Sequence, residues 1–455
     1  MTKNINHIVK SVELEDRENN YISEWGIKHE LNLPVDETNR TEFRRQRDRI
    51  LYTGGFRRLQ DKTQVIAATK NGDHRTRLTH TLEVEQISIS IADALSLNRD
   101  LVSAIALGHD IGHTPFGHAA ERFLNDKLFK NGGFSHAVQS VRYLSSKKIE
   151  LSPLVCEGIL KHDTDVYAGN YNIEQYDCSR YNPENPGSLE SQVVYWADKL
   201  AYLTHDFEDF YHTNIYENAK KRYSSLEYDL KSVLSSLITE GKKSEQIKEN
   251  ISNFKTRDLI RNVLYNLVKA SINNINNLEM CDYESNQDTI IKETKKRIKK
   301  KENELGITSV ENKIAEIEKK IKNSIDEKDI KVLNNLINER KKEIKRIKKN
   351  AFQFGLIINF EEEYNNFYSK LRDILNQYYI GSPEVERSDA KAIKIVKSLY
   401  EEFTRNPKIL PLNIQEKIND KNIKRIVADY IASMTDRYAE EIFLNLNSIG
   451  SYYQY

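Results

Sequence analysis

The sequence predicts an all-α protein, and three observations support this fold class. Only 8 prolines and 17 glycines interrupt 455 residues, so long helices can form almost everywhere. Apolar residues recur at helical spacing in stretches such as ISISIADALSL and LVSAIALGHD, and no series of alternating strands is found. We therefore expect a helical core, a C-terminal helical region and an inserted charged helical hairpin.

The composition is that of a soluble, highly charged protein, with 38% hydrophobic and 30% charged residues. No run approaches the roughly 18–20 apolar residues of a membrane helix, and the polar first residues do not resemble a secretory signal. Cys156, Cys178 and Cys281 lie far apart, which fits a reducing compartment and argues against a thiolate zinc site. We expect a cytoplasmic protein with no membrane partner. The net charge of +1 gives no overall field that attracts nucleic acid.

Changes in composition divide the chain into four regions. Residues 1–40 are polar and are expected to form an N-terminal arm. Residues 41–285 are the predicted catalytic core, because they combine many His, Asp and Arg residues with amphipathic helical patterns. Residues 286–350 are the predicted hairpin. In residues 351–455 apolar periodicity returns, which indicates a C-terminal helical region that packs on the core.

Apolar residues at heptad-like spacing predict the hairpin. Before a polar break at residues 326–329, the apolar seam steps by four, three and four residues through Val310, Ile314, Ile317 and Ile321. After the break it continues at Leu333, Ile337, Ile344, Ile347 and Ala351, with Arg340 in one seam position. Two antiparallel helices are the simplest interpretation. They form either a solvated structural insertion or an arm for a partner or DNA, and the basic stretch KETKKRIKKKE favours an arm only weakly.

Histidines and a carboxylate gather in the stretch GHDIGHTPFGH, which contains His109, His113 and His118. His109 and Asp110 end an apolar helix, where burial of an imidazole beside a carboxylate costs several kcal/mol unless both are paired or bind a metal. Upstream, His80 lies at the start of a predicted helix that Thr79 could cap.

A later helix supplies further polar residues on one face. Asp198, Tyr202 and Asp206 stand four residues apart, so their side chains share that face. An aspartate in an otherwise apolar helix requires a cation. A site with two histidines and two carboxylates suits Mn, Fe, Zn or Mg and does not discriminate among them. The predicted metal ligands are His80, His109, Asp110 and Asp198.

The order H…HD…D resembles the HD phosphohydrolase superfamily, and the surrounding residues resemble one branch of it. DRILYTGGFRRLQDKTQV, RTRLTHTLEV, LGHDIGHTPFGHAAE, SLESQVVYWADKLAYLTHD and VADYIASMTDRYA are similar to the bacterial dGTPase-type deoxynucleoside triphosphate triphosphohydrolases. The resemblance covers about residues 40–210 and 380–445 and implies an HD-domain helical core. The charged hairpin falls outside it.

The resemblance implies a reaction and a set of catalytic residues. Water attacks the α-phosphorus of a deoxynucleoside triphosphate with the help of a divalent metal ion, and intact triphosphate is released. The 5′-oxygen then needs a proton. His118 and Glu121, three residues apart, are a candidate acid and its orienting carboxylate. His113 and His136 resemble the family's other active-site histidines, and which of the three histidines donates the proton stays open.

The resemblance also implies residues that bind the substrate. Arg77 and Lys199 resemble cations that contact the phosphates, and Tyr202 and Asp206 resemble the pair that packs on the deoxyribose and binds its 3′-hydroxyl. Three further arginines are candidates for the phosphates or for structural roles: Arg57, Arg58 and Arg437. His162 and Glu190 are expected to support the site. No role is expected for His7, His29, His74, His205 and His212.

Two other functions remain open. A different HD enzyme, such as a nucleoside monophosphate phosphatase or a cyclic-nucleotide phosphodiesterase, would keep the metal site but need no cationic pocket for a triphosphate. A module that binds nucleic acid or a partner on an HD scaffold would need no catalysis, and four intact ligands disfavour it. Expected partners are the dNTP substrate and further copies of this chain, since family members are multimers, and single-stranded DNA or another nucleic acid could bind the basic patches.

Overall fold

A computed structural model describes residues 40–65, 75–163, 172–173, 176–177, 186–237, 256–278, 283–323, 327–419 and 422–447. The predicted N-terminal arm lies outside these residues except for Arg40, as do His7, His29, His74, Cys178 and Cys281. Of the helices described, none has the length and apolar character that crossing a membrane requires.

The described residues form helices and one antiparallel pair of two-residue strands, β1 (Asn172–Ile173) and β2 (Tyr176–Asp177). The prediction of an all-α fold is confirmed. The first helices are α1 (Glu42–Leu51), α2 (Gly54–Arg58), α3 (Arg77–Leu95), α4 (Arg99–Gly108), α5 (Gly117–Lys127), α6 (His136–Ser146), α7 (Pro153–Lys161), α8 (Leu189–His212), α9 (Asn214–Arg222) and α10 (Leu226–Leu237). The remaining helices are α11 (Thr256–Asn276), α12 (Tyr283–Glu304), α13 (Ile307–Asn323), α14 (Glu327–Gly355), α15 (Glu362–Leu375), α16 (Pro383–Arg405), α17 (Leu412–Gln415), α18 (Ile423–Ala432) and α19 (Asp436–Asn447).

Helix α3 begins three residues earlier than a cap at Thr79 would require. Thr76 is the N-cap: its hydroxyl accepts from the backbone N–H of Thr79, while the Thr79 hydroxyl accepts from the N–H of Thr76. The expectation that Thr79 caps this helix is therefore wrong, because Thr79 is the third helical residue of a reciprocal capping box. The cap makes Arg77 the first and His80 the fourth residue of α3, so the two lie about one helical turn apart.

The main hydrophobic core surrounds α8, which packs against α3, α4, α7, α11 and α15. Trp196 of α8 is fully buried, and its indole N–H donates to the carbonyl of Ile358 at 2.6 Å. Ile357 and Ile358 donate in turn to the side-chain oxygen of Gln192. The segment after α14 is thus fastened to the helix that carries Asp198.

A second hydrophobic core lies in the C-terminal region. It joins one face of α5 to α16, α18 and α19 and contains Ala120, Leu124, Val396, Leu399 and Ile431. Outside the two cores' apolar contacts, Arg142 of α6 forms a double ion pair with Asp429 of α18 at 2.8 and 2.9 Å. Helix α5 therefore packs on the C-terminal region rather than on the main core.

The charged segment is a hairpin whose first arm is broken. Helix α14 packs against both α12 and α13. Ile298 of α12 lies beside Gly355, whereas Ile307 and Val310 of α13 pack with Ile347, so α14 runs antiparallel to both. Gly306 separates α12 from α13 with a positive φ of 81°, a conformation that glycine adopts without strain. The predicted antiparallel arrangement is present, but its first arm consists of two helices.

Candidate active site

Three helices of the main core bring together two imidazoles and two carboxylates. His80 comes from the first turns of α3, His109 and Asp110 directly follow α4, and Asp198 comes from α8. Asp198 Oδ1 lies 2.9 Å from His80 Nε2 and 3.6 Å from His109 Nε2. Ligand atoms of His80, His109 and Asp110 lie within 4.8 Å of one another. All four side chains are buried.

The hydrogen bonds of His109 leave one ring nitrogen facing the carboxylates. Its Nδ1–H donates to the carbonyl of Ala106 at 2.6 Å, so in the neutral ring Nε2 carries a lone pair. That Nε2 is buried without a hydrogen-bond partner among the described residues, and it lies 3.7 Å from Asp110 Oδ1. An imidazole oriented by a carbonyl, with its other nitrogen directed at two carboxylates, is the usual arrangement of a metal-binding histidine.

Both carboxylates are strongly biased to the ionised form. Burial alone would favour protonation of Asp110, but the neighbouring His109 and Arg77 hold its pKa well below the ordinary value. Burial also opposes ionisation of Asp198, and the nearby imidazoles of His109 and His80 hold its pKa well below the usual range. Arg77 is fully buried and donates to Asp110 Oδ2 at 2.7 Å. The cluster therefore presents two anionic ligands beside one permanent cation.

A second cluster adjoins the first and is organised by Glu121 of α5. Glu121 Oε1 accepts from the backbone N–H of His136 at 2.7 Å and from its Nδ1–H at 2.8 Å. Glu121 Oε2 lies 3.0 Å from His118 Nδ1 and 3.9 Å from His113 Nε2. The His113 ring stacks on that of His136, with centroids 4.4 Å apart. One carboxylate thus orients two imidazoles, those of His118 and His136, and lies beside a third.

His136 is an imidazolium with both N–H groups engaged. Burial opposes its charge, but Glu121 raises the pKa of His136 to about 9. Its Nε2 lies 3.0 Å from His162 Nε2. Burial lowers the pKa of His162 to about 4, and the Nδ1–H of His162 donates to the carbonyl of Ile159 at 2.6 Å. His136 therefore donates to His162. The Nε2 of His136 also lies 3.9 Å from Asp110 Oδ1, and this proximity joins the two clusters.

Three side chains of α8 line the same region. The Tyr202 ring lies 4.5 Å from that of His80. The Lys199 ammonium lies 4.5 Å from the centroid of the Tyr195 ring and 4.0 Å from Asp198 Oδ2. One turn beyond Tyr202, burial raises the pKa of Asp206 to about 8, so at neutral pH this carboxyl is mostly protonated and can donate a hydrogen bond.

Comparison with known proteins supports the family that the motifs indicated. The profile of the HD domain family matches residues 77–203, and that of the phosphohydrolase-associated domain matches residues 358–444. A deoxyguanosinetriphosphate triphosphohydrolase-like protein of Rickettsia bellii (strain RML369-C) is 32% identical over 434 residues, or 92% of this chain and 95% of that protein. The chain belongs to the deoxyguanosinetriphosphate triphosphohydrolase-like family of HD-domain proteins.

Two further relatives of the same name agree with this assignment. One from Rickettsia felis is 32% identical over 428 residues, which cover 90% of this chain and 93% of the relative. One from Leptospira interrogans is 30% identical over 434 residues, which cover 90% and 91%. All four predicted metal ligands fall within the HD domain match. HD domains are metal-dependent, and the His and Asp groups described here could hold the ion.

Several predicted residues lie away from the two clusters. Arg57 is exposed and donates to the carbonyl of Tyr52 at 3.0 Å, and Arg437 is exposed on the first turn of α19. Neither forms an ion pair with the clustered carboxylates among the described residues. Arg58 lies over the Tyr143 ring at 5.3 Å. Glu190 is buried and accepts from the backbone N–H of Asn98 at 3.4 Å, which fastens the start of α8 to α4.

Sequence reasoning missed two residues beside the second cluster, one buried and one partly buried. Lys62 is 1% exposed, and its ammonium donates to the carbonyls of His113 and Ala432. Asp436, next to the predicted Arg437, accepts from the backbone N–H groups of Thr63 and Phe116, both at 2.9 Å. A lone lysine or aspartate in a sequence resembles a solvated surface residue, so no local pattern distinguishes these two.

Proposed function

We propose that this protein hydrolyses deoxynucleoside triphosphates at the α-phosphate, with a divalent metal ion, to a deoxynucleoside and intact triphosphate. One observation carries the proposal: a cluster of metal-ligand type directly adjoins a cluster of proton-transfer type, with Asp110 Oδ1 and His136 Nε2 3.9 Å apart. The three relatives carry a name that refers to dGTP, so dGTP is the first substrate to test.

The ligand set fits a divalent ion. His80, His109, Asp110 and Asp198 supply nitrogen and carboxylate oxygen donors, which Mn, Fe, Zn and Mg accept, and the buried Nε2 of His109 has no other use among the described residues. When bound, the ion would polarise a phosphate oxygen and offset the negative charge that develops at the α-phosphorus.

Proton transfer to the leaving 5′-oxygen is assigned to His118. Water adds to the α-phosphorus, and the bond from phosphorus to the 5′-oxygen breaks. The attacking water loses one proton and the 5′-oxygen gains one, so the protons balance. His136 has both N–H groups engaged, and burial together with Arg77 holds the pKa of His113 well below its ordinary value. His118 is half exposed, and Glu121 orients its Nδ1. It is therefore the histidine free to exchange a proton with substrate.

Substrate binding is assigned to residues around the clusters. The imidazolium of His136 and the guanidinium of Arg77 are fixed cations beside the reacting phosphate, and Lys199 supplies a third. The Tyr202 ring would pack on the deoxyribose, and the protonated Asp206 would donate to its 3′-hydroxyl. A site that hydrogen-bonds a hydroxyl strongly rejects analogues without it, so a 2′,3′-dideoxynucleotide is expected to be a poor substrate.

Product analysis tests the reaction. The purified protein is incubated with each dNTP and Mn or Mg, and the products are separated chromatographically. Deoxynucleoside and tripolyphosphate are expected from the parent protein and not from Asp110→Asn. Asp373→Asn, whose side chain is 72% exposed on α15, is the matched control and should retain full activity. Monophosphate with diphosphate would refute the reaction, and a linear product from a cyclic nucleotide would indicate a phosphodiesterase.

A variant of His118 tests the proton donor separately. His118→Asn is expected to lower kcat by roughly 100-fold or more, in the range that general acid catalysis contributes, and to leave the metal content unchanged. Loss of bound metal in this variant would instead place His118 among the ligands.

Nucleic-acid binding by the hairpin is a second candidate function, favoured by the distribution of charge. Residues 292–315 and 332–349, the part of the hairpin nearer the main core, contain 15 Lys and Arg against 6 Asp and Glu. The distal residues 316–331 contain 5 of each. We propose that this basic part contacts phosphates of DNA or RNA, since such contacts need only positive charge.

Charge reversal tests the hairpin proposal. Replacing the exposed Lys341 and Lys342 with Glu should weaken DNA binding and make it less dependent on salt concentration. The same change at Lys394 and Lys397, exposed on α16, should leave binding unchanged. Equal effects of the two pairs would contradict a specific role of the hairpin. DNA binding that survives His109→Ala, in a parent protein without turnover, would favour a binding module over an enzyme.

The state of assembly is a further proposal. We propose a homo-oligomer, because the resemblance implies a multimer, and light scattering of the eluting protein measures its mass. A mass of one chain, about 53 kDa, would contradict it.

A further inference from the structure

The residues of the candidate site lie on helices that pack in two different hydrophobic cores. The four proposed metal ligands come from α3, α4 and α8, which build the main core. His118 and Glu121 come from α5, whose buried Ala120 and Leu124 belong to the second core in the C-terminal region. The chain passes from one core to the other in the turn 113–117. The position of this turn therefore decides how the proton-transfer residues face the metal ligands.

The turn has a backbone conformation that needs external support. Phe116 has a φ of 59° and Gly117 a φ of 63°, and a non-glycine residue in this left-handed region is strained. A side chain at Gly117 would place its Cβ 3.1 Å from Arg77 Nη2 and 3.4 Å from the Gln64 carbonyl oxygen. Such a conformation persists only when the surrounding contacts over-determine it.

Two charged residues supply those contacts, Lys62, which is buried, and Asp436, which is partly buried. The Lys62 ammonium donates to the carbonyl of His113, at the start of the turn, and to that of Ala432, at 2.9 Å. The Asp436 carboxylate accepts from the N–H of Phe116, inside the turn, and from the N–H and hydroxyl of Thr63. Lys62, in the segment that precedes α3, thus joins the turn to the end of α18. Asp436, at the start of α19, joins the turn directly to the C-terminal region.

The chemistry of each contact matches its place. Ala432 is the last residue of α18, and the carbonyl groups at the end of a helix carry partial negative charge that attracts an ammonium. Phe116 directly precedes α5, and its N–H belongs to the positive end of that helix, which attracts a carboxylate. Bonds between ionised and neutral groups are stronger and more directional than those between neutral groups. The contacts therefore resist displacement of the turn in several directions.

We propose that Lys62 and Asp436 form a clasp through which the C-terminal region positions His113 and His118 against the reacting phosphate. Neither residue touches the substrate in this proposal; they are positioning residues. The proposal rests on the proposed function for its kinetic consequence. Its structural consequence, a turn held rigid by the clasp, is independent of which substrate the protein hydrolyses.

Three variants test the clasp. Lys62→Met removes both ammonium bonds with a side chain of similar length, Asp436→Asn weakens the carboxylate bonds, and Asp436→Glu retains the charge. The matched control is Arg142→Met, which removes a double ion pair between the same two parts of the molecule but does not reach the turn. Amide hydrogen exchange of peptides from residues 110–124 reports on the turn in every variant that folds.

The expected outcome separates positioning from general stabilisation. In Lys62→Met and Asp436→Asn the turn exchanges faster and kcat falls on the order of 100-fold, since a shift of about 1 Å can have that effect. KM and metal content should stay within a few-fold of the parent protein. Asp436→Glu should recover part of kcat, and Arg142→Met should change neither exchange of the turn nor kcat.

Two results would overturn the proposal. One is a folded Lys62→Met or Asp436→Asn protein whose turn exchanges as in the parent. The other is an Arg142→Met protein that loses kcat equally. If Lys62→Met does not fold, the two Asp436 variants decide the question. If the parent releases no triphosphate, the proposed function fails, and the exchange measurements still decide whether the clasp holds the turn.

Discussion

The buried ammonium of Lys62 makes the stability of the protein depend on pH in a defined direction. Burial, reinforced by the nearby Arg58, lowers the pKa of Lys62 from 10.5 to about 7. Between these values the unfolded chain binds a proton that the folded chain does not, so the free energy of unfolding rises with pH. The full effect is about 5 kcal/mol, since one pKa unit corresponds to about 1.4 kcal/mol. Between pH 7 and pH 9 it amounts to about 2 kcal/mol.

Urea unfolding at pH 7, 8 and 9 measures this effect as the difference between the parent and Lys62→Met. EDTA is present throughout, because metal binding is itself pH-dependent. The free energies are comparable only if circular dichroism and fluorescence give coincident transitions. Lys391→Met, which replaces an exposed lysine paired with Glu440 at 2.7 Å, is the control for the loss of a positive charge.

The expected result is that the parent gains about 2 kcal/mol relative to Lys62→Met as the pH rises from 7 to 9. The curves of the parent and Lys391→Met should stay parallel over the same range. Parallel curves for Lys62→Met as well would refute the reasoning, because they would mean that Lys62 holds its proton equally in the folded and unfolded chains.

Three further predictions concern the two clusters. Arg77→Met leaves the buried Asp110 carboxylate without its guanidinium and should lower the free energy of unfolding of the metal-free protein by roughly 3–5 kcal/mol; urea unfolding in EDTA measures this, and an unchanged value would contradict it. Gly112→Ala should abolish hydrolysis and lower the melting temperature, because the added Cβ would lie 2.2 Å from the backbone nitrogen of Ser140. The control Gly54→Ala should be tolerated, because its Cβ would meet only side chains, the nearest at 3.3 Å. Metal removal should lower the melting temperature, and Mn at 100 times its dissociation constant should restore about 2.7 kcal/mol of stability; a melting temperature that does not respond to Mn would mean that the native protein has no site for it.

The residues that sequence patterns could indicate are those whose chemistry conflicts with their surroundings. Asp198 stands in an apolar helix, and His109 with Asp110 ends another, so the cost of burying a charge already requires a partner for each of them. The structure places His109 Nε2 3.7 Å from Asp110 Oδ1 and 3.6 Å from Asp198 Oδ1. Arg57 and Arg437 illustrate the opposite case, because an arginine is compatible with a pocket or with solvent, and both are exposed.

The hairpin shows how a pattern can indicate pairing without geometry. The seam residues Val310 and Ile347 are buried against each other's helices, as heptad spacing requires. The heptad pattern does not predict the break at Gly306, because the apolar seam begins only after it. A single glycine is tolerated in many helices, so its positive φ could not be read from composition.

The amino-acid sequence by itself determined the helical class, the residue types of the candidate metal centre and the family. These follow from spacing and from motifs that are local in the chain. Only the tertiary structure decided that α5 packs on a second core, that Glu121 orients the imidazoles of His118 and His136, and that Lys62 and Asp436 reach the turn before His118. Lys62 and Ala432 are 370 residues apart, and contacts at such a distance depend on how helices pack, which no local pattern encodes.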